Sequence, residues 1–192
     1  MWIKHISPDQ AEGELADIYR RSAGPEEQVD QILQSHSLRP YTLRGHMALY
    51  RSVLHHHSKQ VDAWFLEALG VLVSRLNRCD YCDHHHDAGM ARLINDENKT
   101  TSIRAALASG DYASAFDARQ CAALQYATVL TQEPGRLTEA DFQQLRDAGW
   151  NDTEILEINQ VCAYFAYANR TVLGLGVKSD GENLGEHPIP EV

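Results

Sequence analysis

Three features of this sequence predict an all-α fold. Apolar residues recur at spacings of three and four, helix start and stop signals punctuate the chain from end to end, and no run alternates with period two long enough for a strand. The 192 residues, 43% of them hydrophobic, suffice for one substantial core. The expected organisation is a single domain over 1–192, with 178–192 as an extended C-terminal arm.

The elements follow in order. Residues 7–24 offer Ser7 as N-cap, Pro8 at the first helical position, Gln10 to complete a capping box, an apolar face of Leu15, Ile18 and Tyr19, and Gly24 as terminator. Pro40 opens a helix on which Leu43, Met47, Tyr50 and Leu54 recur at helical spacing. Ser58 is expected to cap the next segment, 59–77, which is apolar around much of its girth and therefore central. A break at Asn77 and Arg78 precedes a helix through Asp87 and Met90, in which Gly89 is a weak point. Further helices are expected over 101–110, 112–135 and 137–149, the last with Thr138 and Asp141 in a capping-box arrangement. A final helix over 152–176 presents Ile155, Ile158, Cys162, Phe165 and Ala166 on one face.

Composition excludes several functions. A formal net charge of -10 with scattered acidic residues leaves no basic face for nucleic acid. No apolar run approaches the roughly 20 residues that span a bilayer, and the N-terminus turns polar too soon for a signal peptide, so no membrane association and a cytoplasmic location are expected. Four cysteines in a reducing compartment point away from structural bridges, and a C-x-x-C pair there is metal-binding or catalytic.

That pair lies in "RLNRCDYCDHHHDAG", residues 75–89. On a helix Cys79, Cys82 and His86 fall along one stripe. With Cys79 at the helix N-terminus, unpaired N–H groups favour thiolate, while Asp80, Asp83 and Asp87 oppose it. If the chain reverses at Asn77 into an antiparallel hairpin, Glu67 and His86 are equidistant from the turn and face each other. A carboxylate inside "WFLEALGVLV" is costly to bury without a partner, and His86 supplies one. The chemistry this suggests is a proton relay in which Glu67 orients His86 and His86 takes the proton from Cys82. Cys79 stands ready to close a disulfide on oxidised Cys82. A metal site built from the cysteines and histidines is the competing reading, since His84 and His85 follow the pair and His55, His56 and His57 form a second triplet.

Glu67, eleven residues, "CDYC", three residues and His86 resemble the motif of the AhpD-like alkylhydroperoxidases within the carboxymuconolactone decarboxylase superfamily. "EALGVLVSRLNRCDYCDHHH" resembles its peroxidase-related branch more closely, and the likeness extends from about residue 7 to 177. The resemblance implies an AhpD-like helical fold, homo-oligomers packed through the cysteine hairpins, and reduction of a hydroperoxide substrate. In it Cys82 attacks, Cys79 resolves, and His86 with Glu67 relays protons. An external dithiol, thioredoxin-like or lipoyl-bearing, would reset the enzyme. The alkylhydroperoxidase itself has histidine between its cysteines, where this chain has Tyr81. Use of the same pair as a disulfide reductase or redox sensor is the alternative function.

The remaining residues take quieter readings. His55–His57 read as a solvated helix end, His84 and His85 as flanking the site, and Cys121 and Cys162 as inert core. Asn169 and Arg170 read as capping, ion-pairing or interface residues. No motif for flavin, haem or nucleotide is present, so no cofactor is expected.

Overall fold

The computed structural model describes residues 1–24, 27–179 and 181–185. Among them there is no strand, and nine α-helices account for the fold: α1 Gly13–Ser22, α2 Gln31–Gln34, α3 Pro40–Tyr50, α4 Ala63–Leu76, α5 Asp80–Ile94, α6 Glu97–Ser109, α7 Ala118–Gln132, α8 Glu139–Asp147 and α9 Asp152–Leu175. No helix among the described residues is long and apolar enough to cross a membrane.

α4 is the central element because its sequence leaves no polar face. Phe65 to Ser74 is buried without interruption, and the helix packs against α5, α7 and α9. α9 contributes Ile155, Ile158, Cys162 and Phe165 to this core as expected, joined by Ala168 and Asn169, while Ala166 is only half-buried. α4 and α9 approach closely at Gly70, where an added Cβ would fall inside the Phe165 ring. Truncating such a buried aromatic side chain costs about 3–5 kcal/mol, so Phe165 is a main support of the helix pair.

Local signals were read correctly where side-chain and backbone partners lie within one turn. Thr138 and Asp141 form the predicted capping box on α8, and Asn151 with Glu154 forms another on α9. Gly110 and Gly176 end α6 and α9 in the left-handed conformation. The N-terminal signals gave way to tertiary contacts. Pro8–Gln10 is a single 3-10 turn, Ser7 makes no side-chain cap bond, and α1 begins only at Gly13. Ser58 does not cap α4. The helix starts after Asp62, and its approach is held instead by Glu157 of α9, whose carboxylate accepts from the Gln60 and Val61 N–H groups at 2.9 Å. Residues 112–135 divide into a 3-10 turn at Tyr112–Ser114 and α7, because Asp117 caps the latter in a box with Gln120. α3 runs on into a π-helical turn, Arg51–His55.

Candidate active site

The hairpin between α4 and α5 is set by a Schellman motif. The Arg78 N–H donates to the Arg75 carbonyl at 3.0 Å and the Cys79 N–H to the Ser74 carbonyl at 2.8 Å, with Arg78 in the left-handed conformation (φ 57°). The motif's last residue, Cys79, is already the N-cap of α5. So short a reversal fixes the register of the two helices, and the predicted meeting takes place: His86 Nδ1 lies 2.6 Å from Glu67 Oε2. Both groups are buried, with Glu67 only 2% exposed. The Phe165 ring completes the seat of the imidazole, its centroid 4.5 Å from that of His86 and its plane nearly perpendicular.

Cys79 and Cys82 are both buried and unbridged. The Cys82 thiol and backbone N–H both face the Cys79 sulfur, and their hydrogen bonds hold the Cys79 pKa below its ordinary value against burial. Cys82 moves the other way. Sharing a proton with Cys79 and burial push it well up, and the Asn169 amide opposes this only in part. Access divides the pair differently, because Cys82 lines a pocket with His46, Tyr50, His85, His86 and Tyr164, and Cys79 does not. Burial and the shared hydrogen bond thus disfavour the thiolate at the sulfur that faces the pocket.

Asp80 and Asp83 still disfavour the thiolates, but as the smallest of the several causes that act on the pair. Asp83 bonds to Arg75 at 3.0 Å, and Asp87 forms a two-pronged contact with Arg104 of α6 at 2.6 and 2.9 Å. Asp80 faces solvent.

Two residues that sequence reasoning did not place here belong to the site. Asn169, fully buried on α9, donates to Ser74 Oγ at 3.1 Å, accepts from the Asn77 amide at 2.9 Å and reaches the Cys82 sulfur. The signal was available: a polar side chain on the buried face of an apolar helix needs partners. Glu182 had none, since it sits in the arm. Its carboxylate lies 2.9 Å from His85 Nε2 and accepts from the Gln31 N–H. His85 is accordingly part of the pocket wall, while His84 is exposed. The rest of the expected arm, 186–192, lies outside the described residues.

The second triplet splits. His56 and His57 stack on each other at the surface, as a solvated helix end should, but His55 tucks against the Tyr50 ring at 4.7 Å, and burial lowers its pKa to about 4. Cys162 is core, its pKa pushed up to about 12 by burial, and Cys121 is half-buried against the same core. Among the described residues no three His, Cys, Asp or Glu side chains gather as a metal site would require.

No protein-family model matches the sequence, and no curated protein sequence does. Solved structures do. An uncharacterised peroxidase-related protein from Silicibacter sp. TM1040 shares 26% identity over 77% of this chain and 74% of its own, with a TM-score of 0.68. A peroxidase-related protein from Ralstonia eutropha JMP134, described as an alkylhydroperoxidase AhpD core, shares 23% over 97% and 100%, with a TM-score of 0.74. The debrominase Bmp8, solved with 2,3,4-tribromopyrrole, shares 16% over 93% and 91%, with a TM-score of 0.75. The chain has the helical fold of the AhpD-like peroxidase-related proteins.

Proposed function

We propose that the protein is a thiol peroxidase of the alkylhydroperoxidase type, acting through Cys82. The observation that carries this reading is the Glu67–His86 pair, buried and 2.6 Å apart, one helical turn from a cysteine that faces a pocket. His86 takes the Cys82 proton, and Glu67 stabilises the imidazolium that results. The thiolate attacks one peroxide oxygen, the O–O bond breaks, and the departing oxygen leaves as alcohol or water with the proton returned by His86. Cys82 is then a sulfenic acid, which the adjacent Cys79 thiol condenses to a disulfide with loss of water. A dithiol, thioredoxin-like or lipoyl-bearing, reduces the disulfide. The names of the Silicibacter and Ralstonia proteins support a peroxidase or antioxidant role at the level of the group.

Two observations favour other uses of the pair. The lowered thiol is Cys79, as in dithiol exchange, but it is 1% exposed, and it is Cys82 that lines the pocket. Bmp8 ties the same fold to debromination, yet the cavity before Cys82 measures about 40 Å3, well short of the roughly 150 Å3 that takes a benzene ring.

The test is rapid-mixing titration of free thiols with hydroperoxide, comparing wild type, Cys82→Ser and Cys79→Ser. The reading expects fast loss of two thiols per chain, abolished in Cys82→Ser and halted at sulfenic acid in Cys79→Ser. A rate no faster than that of a free thiol would sink it.

A further inference from the structure

The pocket in front of Cys82 has walls from two distant parts of the chain. Ile32 and Leu33 of α2 form one side, and Tyr81, Cys82 and His85 of α5 form the other. Glu182 ties these walls together. Its buried carboxylate accepts from the Gln31 N–H on α2 and bonds His85 on α5. Tyr81, whose hydroxyl accepts from the Ile32 N–H at 3.2 Å, hydrogen-bonds to Glu182 as well.

A second anchor holds the arm nearby. Gly185 (φ 73°) rests so closely on α5 that a Cβ there would come within 2.8 Å of the Ala88 Cβ and the Gly89 nitrogen. With the arm fixed in this way, the cavity is about 40 Å3. A water needs roughly 10–15 Å3 on this measure, so the space suits two oxygens and at most a short alkyl group.

We propose that Glu182 is a specificity-determining residue: by clasping α2 to α5 across the pocket, it restricts the site to hydrogen peroxide and short-chain alkyl hydroperoxides. The inference rests on reading the pocket as a peroxidase site. A bulky hydroperoxide must part the walls, which breaks the bonds of a buried carboxylate to His85 and Gln31, while hydrogen peroxide leaves them intact. Of the two walls, α2 is a helix of only four residues, Gln31–Gln34, and Glu182 ties it to α5.

The experiment compares full-length wild type, Glu182→Ala and Glu182→Gln, with retained helix content checked by circular dichroism. Cys82 oxidation is followed with hydrogen peroxide and with cumene hydroperoxide. Wild type is expected to favour hydrogen peroxide by at least about tenfold, and Glu182→Ala to narrow that ratio about tenfold by accelerating the aromatic peroxide, with Glu182→Gln between. A wild type that favours cumene hydroperoxide, or a ratio unchanged in Glu182→Ala, overturns the proposal. A second readout needs no peroxide: alkylation of Cys82 by iodoacetamide and by pyrenylmaleimide, in a Cys79→Ser background. If neither peroxide outpaces reaction with a free thiol, the peroxidase reading falls alone. Selective gain of the bulky reagent in Glu182→Ala would still support the clasp, and equal gain or none would overturn it.

Discussion

His85 and His86 are neighbours on α5, and each is held by a buried carboxylate, but the carboxylates arrive by different routes. Glu67 is 19 residues from its histidine, on the central helix, and its position follows from a tight hairpin between two helices of the core. Glu182 is 97 residues from its histidine, on a segment outside any helix, kept in place by its own hydrogen bonds and by the fit of Gly185. One contact is stiff because everything around it is packed. The other depends on a segment that no helix holds in register. Proton transfer needs the first kind of support and a pocket entrance needs the second.

The contrast breaks if the two carboxylates prove interchangeable. Glu67→Gln should slow Cys82 oxidation by hydrogen peroxide about a thousandfold, against less than about tenfold for Glu182→Gln, in rapid-mixing assays. Equal losses would make the two pairs one catalytic cluster.

His46 sharpens the contrast as a buried histidine whose Nδ1 has no hydrogen-bond partner among the described residues. Burial first, and then the nearby His36, lower its pKa from 6.5 to about 3. The folded chain keeps it neutral while the unfolded chain binds a proton below pH 6.5. Its contribution is thus intact above pH 6.5 and is lost as pH falls toward 3, by roughly 3 kcal/mol at pH 4. Urea titrations at pH 7 and pH 4 should show the wild type losing more stability than His46→Phe. An equal loss would assign acid sensitivity elsewhere.

Within the hairpin, Cys79→Ser removes the largest cause that raises the Cys82 pKa. The midpoint of the Cys82 alkylation rate against pH should move down, and a midpoint that rises would mean that Cys79 does not control its partner's proton. The smallest effect belongs to the turn. Arg78 occupies a left-handed position that glycine takes without strain, so Arg78→Gly should raise stability by about 0.5 kcal/mol in thermal unfolding and leave the oxidation rate unchanged.

These differences track what a sequence can carry. The meeting of Glu67 and His86 was legible because a hairpin has one register, and the register follows from the break at Asn77 and Arg78. The Cys79–Cys82–His86 stripe was legible from helical periodicity alone. The Arg104 partner of Asp87 was not, because it comes from a helix outside the hairpin. Glu182 was illegible for a stronger reason: no periodic element connects it to His85. Ser7 and Ser58 misled because a cap signal states only what one turn can do for itself. At Gln60 and Val61, Glu157 from α9 supplied the acceptor instead.

Gly70 carries none of the chemistry, yet Phe165 occupies the space its side chain would fill and, from there, packs nearly perpendicular to the His86 ring. A genetic screen for inactive variants would therefore return position 70 beside Cys82 and Glu67, and substitution there with even alanine would displace the ring rather than remove a reactive group. The catalytic map drawn from such a screen would be larger than the set of atoms that touch substrate, by an amount fixed by how tightly two helices approach behind the site.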